Sequence, residues 1–211
     1  MDKLEIGGGS NPAEGYLNLD INADCKPDIT GDVRAFFTPD VDLEDYPDLM
    51  GIDEFVFDEI RATHFVEHIE WIYQKPMFEW FYKVLKPSGR IVIETPNLHW
   101  IIKSYLKNYG SGEYPQEDHP DLNGTNDFVP WVNFKLFSGC SPGDYHHAMF
   151  DKVWMRRVLK ETGFTPTVKA KGAYIQAIGV KKDLGLPEEE YYVPRNNRRW
   201  WDAFKMGQWI K

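Results

Sequence analysis

Cysteine is scarce in this chain: Cys25 and Cys140 stand far apart, outside any CxxC or Cys/His ligand spacing. That argues against a disulfide framework and against a structural zinc site, and no metal is expected. No apolar run nears the ~18 residues needed to cross a bilayer, so no membrane span is expected. Net positive charge is also missing. The formal charge of −9 leaves a surface that repels phosphates on average, so a nucleic-acid partner is disfavoured. No basic-then-apolar leader follows Met1, which runs into Asp2, Lys3 and a strand-like segment; no secretory signal and a cytoplasmic location are expected. Internal repeats and low-complexity tracts are absent. What remains, 211 residues with 42% hydrophobic and 27% charged, fits one soluble globular domain.

The charge is unevenly spread. From Pro194 to Lys211, Arg195, Arg198, Arg199, Lys205 and Lys211 face Asp202 alone, with Trp200, Trp201 and Trp209 among them. Such a terminus could grip a nucleic acid or a membrane surface. The blander reading docks the tryptophans on the domain or on a second subunit and leaves the arginines solvated; a monomer or a homodimer fits. Residues 1–185 are expected to form one domain, with 97–150 as an inserted lid or acceptor region and 186–211 as a C-terminal extension.

Along the chain, Lys3–Ile6 and Tyr16–Ile21 read as short buried strands. Only Gly7 to Gly15 separates them, which leaves room for a turn of helix and no full crossover. A short helix is expected around Val33–Phe37 and a strand over Phe55–Ala62. Trp71 to Leu85 follows amphipathic helical spacing through Trp71, Ile72, Met77, Phe78, Phe81, Val84 and Leu85, with a kink or restart at Pro76. Lys86–Gly89 stops it, and Arg90–Thr95 is an apolar strand. Residues 97–150 are irregular and rich in aromatics, with one helix at Leu98–Tyr109. Asp151–Thr162 is a second strong helix, with Asp151 as N-cap, Val153, Trp154, Val158 and Leu159 as its apolar positions and Gly163 as its stop. Thr167–Ala170 and Tyr174–Val180 close as a hairpin. The order implies an α/β sheet.

The most informative stretch is LEIGGGSNPAEGYLNLDI. Gly7, Gly8 and Gly9 after a strand let a ligand lie against bare main chain. Glu5 emerges near the strand end, where a carboxylate attracts a cationic amine, and Asp20 ends the next strand, where it can accept from vicinal ribose hydroxyls. A dinucleotide site wants GxGxxG opening a helix onto a pyrophosphate; GGGSNP has no third helical glycine. The ligand implied carries a ribose and an amine without a pyrophosphate. Each residue also has a plainer reading: Glu5 as a solvated strand residue, Asp20 as a turn residue, Asp32 as an N-cap.

At this point the sequence resembles the class I S-adenosyl-L-methionine (SAM)-dependent methyltransferases, more narrowly the small type 11-like group. The opening stretch is similar to that group's hydrophobic-GxG, short loop, G-aromatic-x-N-x-D pattern. FDEIRATHFVEHI (Phe57–Ile69), VLKPSGRIVIETPN (Val84–Asn97), and DYHHAMFD followed by VLKETGF resemble three further segments, in the family's order. Gly8 stands where the family usually has Cys, Ser or Thr, and Ser88 where it has glycine. DPPY and NPPF are absent, which disfavours an exocyclic-amine methyltransferase of the DNA adenine kind. The resemblance implies a Rossmann-like, mostly parallel sheet with an antiparallel last strand and helices on both faces, and S-adenosyl-L-methionine as cofactor. Gly7, Gly8 and Gly9 would pass under the methionine and ribose, and Glu5 would hold the ammonium. Asp20 would take the ribose hydroxyls, with Ile21 against the adenine and Asp32 and Val33 near its amine. Thr63 and His64 would surround the sulfonium.

A hydroxyl acceptor needs a base. His64, His146 and His147 are the chosen catalytic candidates, ahead of Glu67, His68, His119 and Asp144. His64 and His68, four apart, would share a helical face if a helix begins there. In the insertion, Trp100, Tyr105, Tyr109, Tyr114, Trp131, Phe134 and Phe137 could stack on an acceptor or form a satellite core. The expected function is methyl transfer to a small-molecule or glycan hydroxyl. The alternatives are a turnover-deficient SAM-fold binding module and a nucleic-acid methyltransferase that uses the basic tail.

Overall fold

The computed structural model describes residues 2–52, 57–108, 132, 135–138 and 144–182. The expected extension at 186–211 and much of the expected lid, with His119, Tyr109, Tyr114, Trp131 and Phe134, lie outside these residues. Seven strands form one sheet: β1 Lys3–Ile6, β2 Leu17–Asp20, β3 Ile29–Thr30, β4 Phe57–Thr63, β5 Leu85–Pro96, β6 Thr165–Lys171 and β7 Tyr174–Val180. Among the described residues, helices α1 Gln74–Val84, α2 Leu98–Asn108 and α3 Lys152–Glu161 accompany it.

The strand order is β3-β2-β1-β4-β5-β7-β6. Pairings from β3 through β5 are parallel, and β7 pairs antiparallel with both β5 and β6. The chain winds outward from β1 to β3, then returns to place β4 on the other side of β1. That reversal is a topological switch point, where the carboxyl ends of neighbouring strands open a crevice. Register fixes what meets there: Glu5 lies opposite Asn18 on one side and Arg61 on the other. Thr63 lies opposite Glu94.

The core is apolar. Leu4, Ile60, Met77, Phe78, Phe81, Leu85, Phe150, Met155, Val158 and Leu159 are all fully buried. In α1 the buried positions 77, 78, 81 and 84 follow helical spacing. Pro76 sits in the first turn of α1, which starts at Gln74 after a 3-10 turn, so its missing N–H has no intrahelical partner to lose. Trp71 and Ile72 belong to a preceding 3-10 turn, Trp71–Tyr73, and face solvent rather than the core, Trp71 at 70% exposure. In α3, Asp151 accepts from the Trp154 N–H at 2.6 Å, the expected cap. Val153, expected on the apolar face, is 74% exposed; Met155, Val158 and Leu159 define the buried stripe, and position 153 falls on the opposite side of the helix.

The short helix expected around Val33–Phe37 forms as a 3-10 turn, Val33–Phe36, capped by Asp32. Residues 7–16 join two parallel strands without a turn of helix. β5 begins at Leu85, running through Ser88 in a left-handed conformation (φ +62°) before regular pairing resumes at Arg90. Trp100 and Tyr105 pack with Ile101, Val132, Leu136 and Met149 in a satellite cluster. Among the described residues no helix is long and apolar enough to cross a membrane.

Candidate functional site

The glycine bend is built by backbone conformation and held by side chains. Gly7 (φ +69°) and Gly9 (φ +58°) occupy the left-handed region that residues with a Cβ adopt at a cost. A Cβ at Gly8 would lie 2.5 Å from Asn18 Oδ1, so the Asn18 side chain would have to shift to admit one. The Gly7 N–H donates to Leu19 O at 2.9 Å, extending the β1–β2 ladder by one step. Asn18 Nδ2 donates to Gly9 O at 3.2 Å.

Asp20 closes the bend. Its Oδ2 accepts from the Gly9 N–H at 2.9 Å and its Oδ1 from the Asn22 N–H at 2.8 Å. The carboxylate therefore turns toward the glycines and keeps a spare lone pair on each oxygen. Next to it Ile21 is 57% exposed, an apolar side chain at the rim. Glu5 is buried: one oxygen accepts from the Ala13 N–H, and the other lies 3.2 Å from Arg61 Nε. Arg61 Nε also donates to Thr63 Oγ1 at 3.1 Å. Asp32 caps the Val33–Phe36 turn through the Arg34 N–H and forms a bidentate ion pair with the Arg34 guanidinium; Val33 is buried.

A second cluster lies at the ends of β4 and β5. His64 has φ +51°, uncommon for a residue with a Cβ, and its N–H donates to Glu94 O at 2.8 Å. Its Nδ1 lies 3.2 Å from Glu67 Oε1 and its Nε2 3.7 Å from Glu94 Oε1. The Glu67 carboxylate beside it holds the His64 imidazole above the ordinary histidine range, against burial, which acts the other way. Glu67 is fully buried, and its Oε2 accepts from Thr95 Oγ1 at 3.0 Å. His68 does not share a helical face with His64. The turn Val66–His68 is a short 3-10 segment, and the His68 ring swings to place Nδ1 3.0 Å from Tyr145 O.

His146 packs edge-on to His68 with ring centroids 5.0 Å apart, and burial pushes its pKa down. Its Nδ1 is buried without a hydrogen-bond partner. His147 is exposed and meets the cluster through its backbone, whose N–H donates to Glu67 O at 2.8 Å. Thus Thr63 connects to the cradle through Arg61, His64 follows it against Glu67, His146 packs on His68, and the His147 side chain is exposed. Arg61, Glu67 and Thr95 complete the arrangement. Arg61 had a signal in the sequence, since FDEIRAT alternates as a strand and puts residues 61 and 63 on one face; its pairing with Glu5 needed the register. The cradle offers bare main chain, the Asp20 carboxylate and the Glu5–Arg61 carboxylate–guanidinium pair, and the His64–Glu67 pair follows at the end of β4.

No protein-family model matches the sequence, and no curated protein sequence matches it. Solved structures do. A SAM-dependent methyltransferase from Archaeoglobus fulgidus superposes with a TM-score of 0.50 at 15% identity, over 85% of this chain and 86% of that one. A possible histamine N-methyltransferase from Thermotoga maritima gives 0.51 at 12% identity, over 86% and 82%. The carbon methyltransferase CurJ gives 0.51 at 17% identity over 86% of this chain. The chain spans about half the length of some of these proteins: 48% of CurJ, and 51% of an O-methyltransferase family protein from Burkholderia thailandensis. At such identities the likeness concerns the fold: this is a class I methyltransferase fold, a seven-stranded, mostly parallel sheet with antiparallel last strands.

Proposed function

We propose that this chain is a SAM-dependent methyltransferase whose acceptor is a hydroxyl group on a small molecule or glycan. The observation that carries the reading is the Asp20 carboxylate seated inside the glycine bend, 2.9 Å from the Gly9 N–H. A strand-end carboxylate with free lone pairs suits vicinal ribose hydroxyls. Gly7, Gly8 and Gly9 let that ribose and the methionine chain approach the main chain, and Ile21 offers the adenine an apolar face. Glu5 and Arg61, 3.2 Å apart, complement the ammonium and the carboxylate of the methionine end. Asp32, already paired with Arg34, reaches the adenine amine only with its remaining lone pairs, and Val33 supports it from the core.

The cofactor supplies an electrophilic methyl on a positively charged sulfur; this chain supplies position and a base. Thr63 and His64, at the end of β4, would line the pocket beside the sulfonium. Glu67 holds the Nδ1 proton of His64, which leaves Nε2 as the nitrogen that accepts a proton from the acceptor hydroxyl. His146 and His147 are secondary candidates for that role, one buried against His68 and one exposed. Structures of this fold include proteins described as carbon and nitrogen methyltransferases. Fold therefore does not select the acceptor; the hydroxyl reading rests on the His64–Glu67 pair.

Isothermal calorimetry with S-adenosylhomocysteine on the full chain tests the proposal. One saturable site in the micromolar range is expected, and absence of heat at millimolar ligand removes the reading.

A further inference from the structure

We propose that Glu67, His68 and His146 form a binding site for one divalent first-row transition-metal cation. Each residue brings one carboxylate oxygen or ring nitrogen, and the three atoms lie within 4.8 Å of one another. In a tetrahedral site with bonds of ~2.1 Å, ligand atoms stand ~3.4 Å apart, so rotamer-scale closure suffices. Two sequence segments are pinned together to make the cluster. The N–H groups of His147 and Ala148 both donate to Glu67 O, and the His146 N–H donates to Phe137 O.

The tautomers and lone pairs favour a cation. A carbonyl only accepts, so the 3.0 Å contact between His68 Nδ1 and Tyr145 O makes Nδ1 the protonated nitrogen and leaves Nε2 with its lone pair outward. That Nε2 stands 3.9 Å from Asp144 Oδ1, a fourth oxygen at the rim. His146 Nδ1 is buried with no partner, a costly state that a metal ion would relieve. The fully buried Glu67 carboxylate is held by His64 on Oε1 and by Thr95 on Oε2; both contacts leave further lone pairs and orient it as outer-shell partners do.

Two imidazoles and one carboxylate suit zinc, iron(II), cobalt or manganese better than magnesium or calcium, which prefer all-oxygen shells. Three protein ligands leave a coordination position open. The site stands whether or not the chain binds SAM.

The test is a Co2+ titration of tag-free, chelator-treated full chain, followed by visible d–d absorption. Saturation at one equivalent is expected, with affinity weakened at least ~10-fold in His68→Ala and in His146→Ala and unchanged in His99→Ala, an exposed histidine on α2. Far-UV circular dichroism checks that the variants fold. Absence of a saturable spectrum in the wild-type chain up to millimolar Co2+ overturns the proposal, whatever the variants do. So does equal affinity in folded His68→Ala and His146→Ala. Metal titration and S-adenosylhomocysteine calorimetry can fail separately, so the two readings remain distinguishable.

Discussion

Replacing Asp20 by Asn separates a structural brace from a ligand. In the free protein the carboxylate accepts two backbone N–H groups, Gly9 at 2.9 Å and Asn22 at 2.8 Å, one on each oxygen. An amide offers one acceptor oxygen and one NH2 group, so one of these N–H groups loses its partner and meets a donor. The cost is ~1–3 kcal/mol. For a chain of this size that lowers the melting temperature by roughly 2–4 °C per kcal/mol. Ligand binding is hit separately, because a charge-assisted acceptor for ribose hydroxyls becomes a neutral one. A further loss of ~1.5–3 kcal/mol corresponds to S-adenosylhomocysteine binding ~10- to 150-fold weaker. Differential scanning fluorimetry without ligand reads the first effect, and calorimetry reads the second. Asp28→Ala is the control: its Oδ2 braces the Asn18 N–H at 2.8 Å on the same strand, so stability should fall without a change in affinity. An Asp20→Asn protein that melts lower yet binds S-adenosylhomocysteine like the wild type would refute the ligand role and leave Asp20 a brace.

Arg61→Ala should weaken S-adenosylhomocysteine about tenfold, the low end for a charge-assisted contact because Arg61 is partly exposed, and leave 5′-methylthioadenosine, which lacks the amino-acid end, unaffected; equal losses for both ligands would remove Arg61 from the methionine end. Lys181 tests the fold's electrostatics: buried, with Nζ donating to Leu85 O at 2.6 Å, it has its pKa pushed down to about 8 by burial. The unfolded chain then binds more protons above that value, so this group adds stability as pH rises from about 8 toward the ordinary lysine range. Lys181→Met should flatten that part of the melting-temperature profile relative to wild type, and parallel profiles would count against the shift. Met155→Ala, in the core of α3, should cost ~2–5 kcal/mol in urea unfolding, whereas Val153→Ala on the exposed side should stay within ~0.5 kcal/mol.

Local chemistry was legible from residue order alone. Asp151 before a helical run, Gly163 after it, three glycines at a strand end and an aspartate closing the next strand are short-range signals. Their physics lies in φ angles, orphan N–H groups and strand alternation, which neighbouring residues determine. The strands along the chain, though not their order in the sheet, followed from the same patterns, except for the two-residue β3, too short to leave a period.

Tertiary structure decided the rest, because contacts between distant segments leave no periodic trace. Glu5 faces Arg61 only through the β1–β4 register. Trp71 points to solvent because it lies in the turn before α1, and Val153 because the phase of α3 is set by what that helix packs against. Glu67, His68 and His146 meet because the loop before α3 hydrogen-bonds to the Glu67 carbonyl. Sequence spacing put His64 with His68; the left-handed backbone at residue 64 turned His64 toward Glu67 and sent His68 to the loop instead.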